Sequence, residues 1–142
     1  YWVAAGTTTK ENGDTKLGYQ YTINDRVDQV VKANAKWWTD PTTGQPKDRN
    51  RAEMLMLTVS ELAEAMEGDR KSLMDDHLPH YPMYVVELVD AMIRIFDQLG
   101  NATMPDGKPV NVEQIFIDKM EYNAQRHDHT IDGRLAAGGK KY

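Results

Sequence analysis

The sequence predicts an all-α fold with a four-helix bundle-like arrangement: four segments carry a helical apolar period, short loops join them, and strand signals are almost absent. The chain has 142 residues, enough for one domain and too few for two of ordinary size. Apolar residues make up 40% and charged residues 27%, a globular balance that argues against intrinsic disorder.

Residues 1–22 are rich in Thr, Gly and Lys and lack a helical period, so they read as an irregular arm with one short strand around 19–23. The first helix is expected over 24–38, capped by Asn24 or Asp25, with Val27, Val30, Val31, Asn34 and Trp38 on one stripe. Asp40, Pro41, Gly44 and Pro46 end it in a loop. The second helix is expected over 50–67, with Gly68 as its C-terminal cap. A turn region follows, and Pro82 suits the first turn of a third helix over 82–99, closed by Gly100. Pro105-Asp106-Gly107 marks another turn. The fourth helix is expected over 111–128, with Asn111 and Gln114 spaced as a capping box. The all-α domain thus covers 23–128, and 129–142 form a Gly-rich basic tail, mobile or docked on a partner.

Composition excludes several function classes. Cys is absent, which removes disulfides, zinc-thiolate sites and cysteine nucleophiles. The charge is 17 basic against 22 acidic residues, net −5, so binding to a nucleic-acid backbone is not expected. No apolar run approaches the roughly 18 residues of a membrane span, so no membrane partner is expected either. Tyr1-Trp2-Val3-Ala4-Ala5 is too short for a signal-peptide core and lacks a basic leader. With no Cys, a reducing cytoplasmic setting is the expectation, and the sequon at Asn101 reads as a chance match.

The chemistry lies on the second and third expected helices. Both are apolar nearly all round, which predicts that both are largely buried. Yet each holds an acidic pair at i, i+3: Glu61 with Glu64, and Glu87 with Asp90. That spacing puts both carboxylates of a pair on one helix face. If the helices pack together, four carboxylates converge, and desolvation and repulsion push protons onto them. A divalent cation removes the conflict, and an all-oxygen set suits Mg²⁺ or Mn²⁺. The plainer alternative is ion pairing or a solvated face, with Arg94 on Asp90 and Arg70 or Lys71 on Glu67. No Glu has a His three residues on, so the Glu-x-x-His pattern of di-iron bundles is missing, and His77, His80, His127 and His129 read as surface residues.

On the fourth helix Lys119, Asn123 and Arg126 continue the stripe begun by Val112 and Phe116. They either snorkel at the core edge or reach for phosphate oxygens.

Glu61-x-x-Glu64 followed by Glu87-x-x-Asp90 resembles the ExxE…ExxD signature of the MazG-like all-α nucleoside triphosphate pyrophosphohydrolases. Ser60-Glu61-Leu62-Ala63-Glu64-Ala65 is similar to that family's second helix and Glu87-Leu88-Val89-Asp90 to its third, while Lys119-x-x-x-Asn123-x-x-Arg126 resembles the run on its fourth. The resemblance spans residues 51–129. It implies a Mg²⁺-dependent hydrolase that cuts (deoxy)nucleoside triphosphates into monophosphate and pyrophosphate. It further implies that Glu61, Glu64, Glu87 and Asp90 are metal ligands and catalytic residues, and that Lys119, Asn123 and Arg126 hold the phosphates. A homodimer or homotetramer is implied too, and eight Met residues on apolar helices agree with surplus apolar surface.

For the base, adjacent Trp37 and Trp38 must point to different faces, so one packs and the other is available to stack on a nucleobase. Asn34 lies one turn before Trp38 and is placed to read a base edge, although plain packing explains all three. Two alternatives stand beside this reading: a related all-α hydrolase acting on phosphoribosyl-ATP, and a non-catalytic helical interaction module.

Overall fold

The structure is a computed structural model that describes residues 7–11, 14–18 and 21–138. Among these residues are five α-helices, two 3-10 turns and one strand pair, so the fold is all-α apart from its N-terminal arm. Strands β1 (Thr7–Glu11) and β2 (Asp14–Gly18) pair antiparallel, with Thr7 opposite Gly18 and Glu11 opposite Asp14. The arm read as irregular therefore holds an antiparallel strand pair. The strand-favouring residues Thr7, Thr8, Thr9 and Thr15 are the sequence signal for it. Of the strand expected at 19–23, residues 19 and 20 lie outside the described residues, and Thr22 and Ile23 start a helix instead.

Helix α1 (Ile23–Asn34) begins at Thr22, not at Asn24 or Asp25. The Thr22 hydroxyl accepts from the Asp25 N–H at 3.1 Å, and the Asp25 carboxylate accepts from the Thr22 N–H at 2.8 Å. This reciprocal pair satisfies two otherwise orphaned donors. Beyond Asn34 the chain tightens into a 3-10 turn, Ala35–Trp38, where a continuing α-helix was expected. Trp38 is held at its end: the indole N–H donates to both Asp97 oxygens at 3.1 and 3.2 Å.

Helix α2 (Arg51–Arg70) is capped by Asn50, whose side chain accepts from the Glu53 N–H at 3.2 Å. Gly68 is not the cap but a buried position inside the helix. A Cβ there would lie 2.9 Å from Met83 Cβ, so bare backbone lets the end of α2 meet the start of α3. Helix α3 (Met83–Gly100) follows Pro82. Near its end Gln98 donates to Thr58 Oγ1 at 3.0 Å, close to the start of α2, so the two helices run antiparallel. Gly100 closes against α1, where a Cβ would overlap Val31 and Val27.

The α2/α3 seam is made of small and polar residues. Met54, Thr58, Glu61, Ala65 and Gly68 are buried on α2 at steps of four and three, and Glu87 and Ala91 are buried on α3. The larger apolar residues face away. Leu55, Val59, Leu62 and Met66 on α2, and Val85, Leu88, Met92 and Ile95 on α3, are 36–61% exposed. The expectation that both helices are largely buried therefore fails within this chain. Each has too few neighbours to cover its whole circumference.

Helix α4 (Val112–Gln125) starts at Asn111, which accepts from the Gln114 N–H at 3.1 Å. The box is not reciprocal, and the Gln114 amide nitrogen donates to Asp118 at 2.8 Å. Asn24 anchors the start of α4, donating to Asn111 at 2.8 Å and accepting from the Glu113 N–H at 3.1 Å. The helix packs on α1 rather than on the α2/α3 pair. It ends three residues before the expected boundary of 128; a 3-10 turn, His127–His129, and helix α5 (Ile131–Leu135) follow. No described helix is long and apolar enough to cross a membrane.

Candidate metal centre and its cleft

The antiparallel α2/α3 pair brings three carboxylates together. One oxygen from each of Glu61, Glu87 and Asp90 lies within 4.8 Å of the others. Such a group could hold a metal ion. Glu61 and Glu87 are buried and Asp90 is exposed. Burial pushes the Glu87 carboxyl up from its ordinary value, and the charges of Glu64, Asp90 and Glu61 push it the same way. Asp90 is also raised, first by loss of solvent and then by Glu61, with Arg94 opposing and Asp75 adding to the rise. Three acids thus share a space in which full ionisation is unfavourable, and a cation is the group that would relieve them.

Glu64 is exposed and stands outside this group of three, although its charge reaches Glu87. Asp75 is a fifth acid that sequence reasoning missed. It is 9% exposed, and its Oδ1 accepts from the His77 and Leu78 N–H groups at 3.0 and 2.6 Å. The available signal was the Asp75-Asp76-His77-Leu78 run, suited to a carboxylate that caps its own turn.

The i, i+4 spacing would pair Arg94 with Asp90 one turn away. Its Nε–H instead donates across the seam to Glu61 Oε1. Glu67 follows the plain ion-pair reading: Lys71 holds it, and Arg70 lies 3.5 Å away.

An open cleft of about 530 Å³ runs along this region. Glu61, Asp90 and Arg94 line it together with Asn34, Trp37 and Arg49. Two of the three residues considered for base contact therefore share a cleft with the acids. Trp37 is 59% exposed, leaving ring surface available for stacking. Trp38 does not line the cleft; its indole N–H donates to Asp97, which does. Asp97, which the sequence did not single out, is 4% exposed and also takes Asn101 at 3.2 Å and Arg49 at 3.5 Å.

Lys119, Asn123 and Arg126 do not line the cleft. Lys119 and Arg126 sit over the Tyr122 ring, 4.8 and 5.7 Å from its centre. Arg126 also donates to Asp128 from Nε at 2.9 Å and from a terminal nitrogen. Asn123 Oδ1 is buried with no hydrogen-bond partner among the described residues. The expected stripe does not run through as one helix face: α4 ends at Gln125, Arg126 is its extended C-cap, Phe116 is exposed, and the helix packs on α1.

Comparison with known protein families, curated proteins and solved structures finds no match to this chain.

Proposed function

We propose that the protein is a Mg²⁺-dependent nucleotide pyrophosphohydrolase of the MazG-like kind, with Mn²⁺ as a second usable ion. The observation that carries this reading is the meeting of Glu61, Glu87 and Asp90, two of which, Glu61 and Asp90, line a cleft that also presents Trp37 and Asn34. These three acids would hold the ion, with Glu64 at the margin. When bound, the ion supplies positive charge that offsets the phosphate oxygens of the substrate. The chain's own groups do the rest. Trp37 stacks on the base and Asn34 meets its edge. A carboxylate not engaged as a ligand takes the proton of the attacking water. Water adds at the α-phosphorus, the bond to the bridging oxygen breaks, and pyrophosphate leaves a monophosphate behind. Lys119, Asn123 and Arg126 would serve this cleft only from a second copy, in a homodimer or homotetramer.

Incubation with each nucleoside and deoxynucleoside triphosphate, and with phosphoribosyl-ATP, with and without Mg²⁺, tests the reading. Monophosphate and pyrophosphate are expected, with loss of at least about 10²-fold in Asp90→Asn. Turnover of phosphoribosyl-ATP alone would assign the related hydrolase. The exposed apolar stripes favour one competing reading, a helical interaction module. That reading predicts no turnover and no effect of Mg²⁺ on melting.

A further inference from the structure

We propose that Arg94 is an internal counter-ion for Glu61 that a bound metal displaces, and that the released guanidinium then binds the phosphate chain of the nucleotide. This rests on the metal-site reading above and adds a gate to it.

The argument starts from the seam. Arg94 Nε–H donates to Glu61 Oε1, and Glu61 is one of the three acids whose carboxylates meet. The Glu61 side chain is 11% exposed, whereas that of Arg94 is 39% exposed and lines the cleft. One end of the pair is therefore fixed in the seam and the other is free to swing. A divalent ion on Glu61 competes with the guanidinium for the same carboxylate and repels it. The displaced side chain has the cleft on its open side, one helical turn beyond Asp90 on α3. A guanidinium is a flat fork of donors that matches phosphate oxygens.

The other cations fit this role less well. Arg49 also lines the cleft but lies 3.5 Å from Asp97, whose side chain is 6% exposed, and withdrawing it would strip a buried carboxylate of its counter-ion. Lys119 and Arg126 are off the cleft. Arg94 thus links the two halves of the site: it shields the acids before metal arrives and becomes available to an anion afterwards.

The test uses the full chain. Mg²⁺ binding is measured by calorimetry for the wild type and Arg94→Met. Binding of an α,β-methylene triphosphate is then measured at saturating Mg²⁺. Loss of the competing cation should tighten Mg²⁺ binding by roughly tenfold and weaken analogue binding by roughly tenfold, opposite signs from one substitution. Arg94→Met that weakens Mg²⁺ binding would overturn the inference, since Arg94 would then only hold Glu61 in place. In the wild type, the Arg94 Nε–H resonance should be protected from exchange without metal and lose that protection on adding Mg²⁺. Protection that persists at calorimetric saturation also overturns it, even if the variant does not fold. A wild type that binds no Mg²⁺ defeats the metal-site reading itself, which separates the two failures.

Discussion

Glu87 carries the sharpest consequence of a single residue. Its carboxyl is raised above 4.5, so between that value and the raised one the folded chain holds a proton that the unfolded chain has released. Folding then binds protons, and stability falls as pH rises through this window, settling at its lower level above it. The metal-free protein should therefore melt higher near about pH 5 than at about pH 7. Glu87→Gln should flatten that trend and raise the metal-free melting temperature at neutral pH by a few degrees, roughly 1 kcal/mol. Mg²⁺ at a hundredfold excess over Kd should stabilise the wild type by roughly 2.7 kcal/mol and the variant far less. Thermal melts at both pH values, with and without Mg²⁺, check all three. The acids themselves were legible because i, i+3 carboxylates amid apolar flanks are a local pattern. Asp75, and the choice of Glu61 over Asp90 by Arg94, were not, because each depends on how separate segments meet.

At the scale of elements, the 3-10 turn after α1 and the end of α3 are held together by Asp97. Trp38, Asn101 and Arg49 all converge on its buried carboxylate. The turn fixes Trp38, and Trp38 in turn sets the position of Trp37 beside the cleft. Asp97→Ala leaves an indole N–H and a guanidinium without their acceptor and should cost about 3–5 kcal/mol in urea unfolding. Asp97→Asn keeps an acceptor for Trp38 and should cost less. Both should raise KM for nucleotide more than they lower kcat, since the residue acts through Trp37 and not on the phosphates. Equal loss in kcat and kcat/KM would show that Asp97 serves the reacting end instead. Helix existence was readable from periodicity, and the Asn111 cap from residue type, whereas Asn50, read as the first residue of its helix, is the cap. The end of α2 was misread because Gly68 serves close packing on Met83, a reason invisible along one strand of sequence.

For the whole molecule, the decisive feature is what the chain leaves uncovered. The exposed residues Leu55, Val59, Leu62 and Met66 repeat at steps of four and three on α2, as do Val85, Leu88, Met92 and Ile95 on α3. Two such stripes suit the packing surface of another helix pair, which a second copy of this chain would supply by symmetry in the proposed assembly. Surplus apolar surface was legible from composition; the place of α4 was not, because it depends on contacts with α1, about 90 residues away in sequence, such as Asn24 with Asn111 and Glu113. Light scattering across a wide concentration range should give a dimer or tetramer, and Leu88→Glu with Met92→Glu should shift it toward monomer and lower its stability. A monomer at every concentration would refute the assembly. The same assembly bears on the cations of α4. If they act on a partner's cleft, mixing inactive Asp90→Asn chains with inactive Lys119→Ala/Arg126→Ala chains should restore about a quarter of wild-type activity in a random dimer. No recovery from demonstrably mixed dimers would mean that Lys119 and Arg126 serve α4 itself, and that the phosphates must be held by cations already on the cleft.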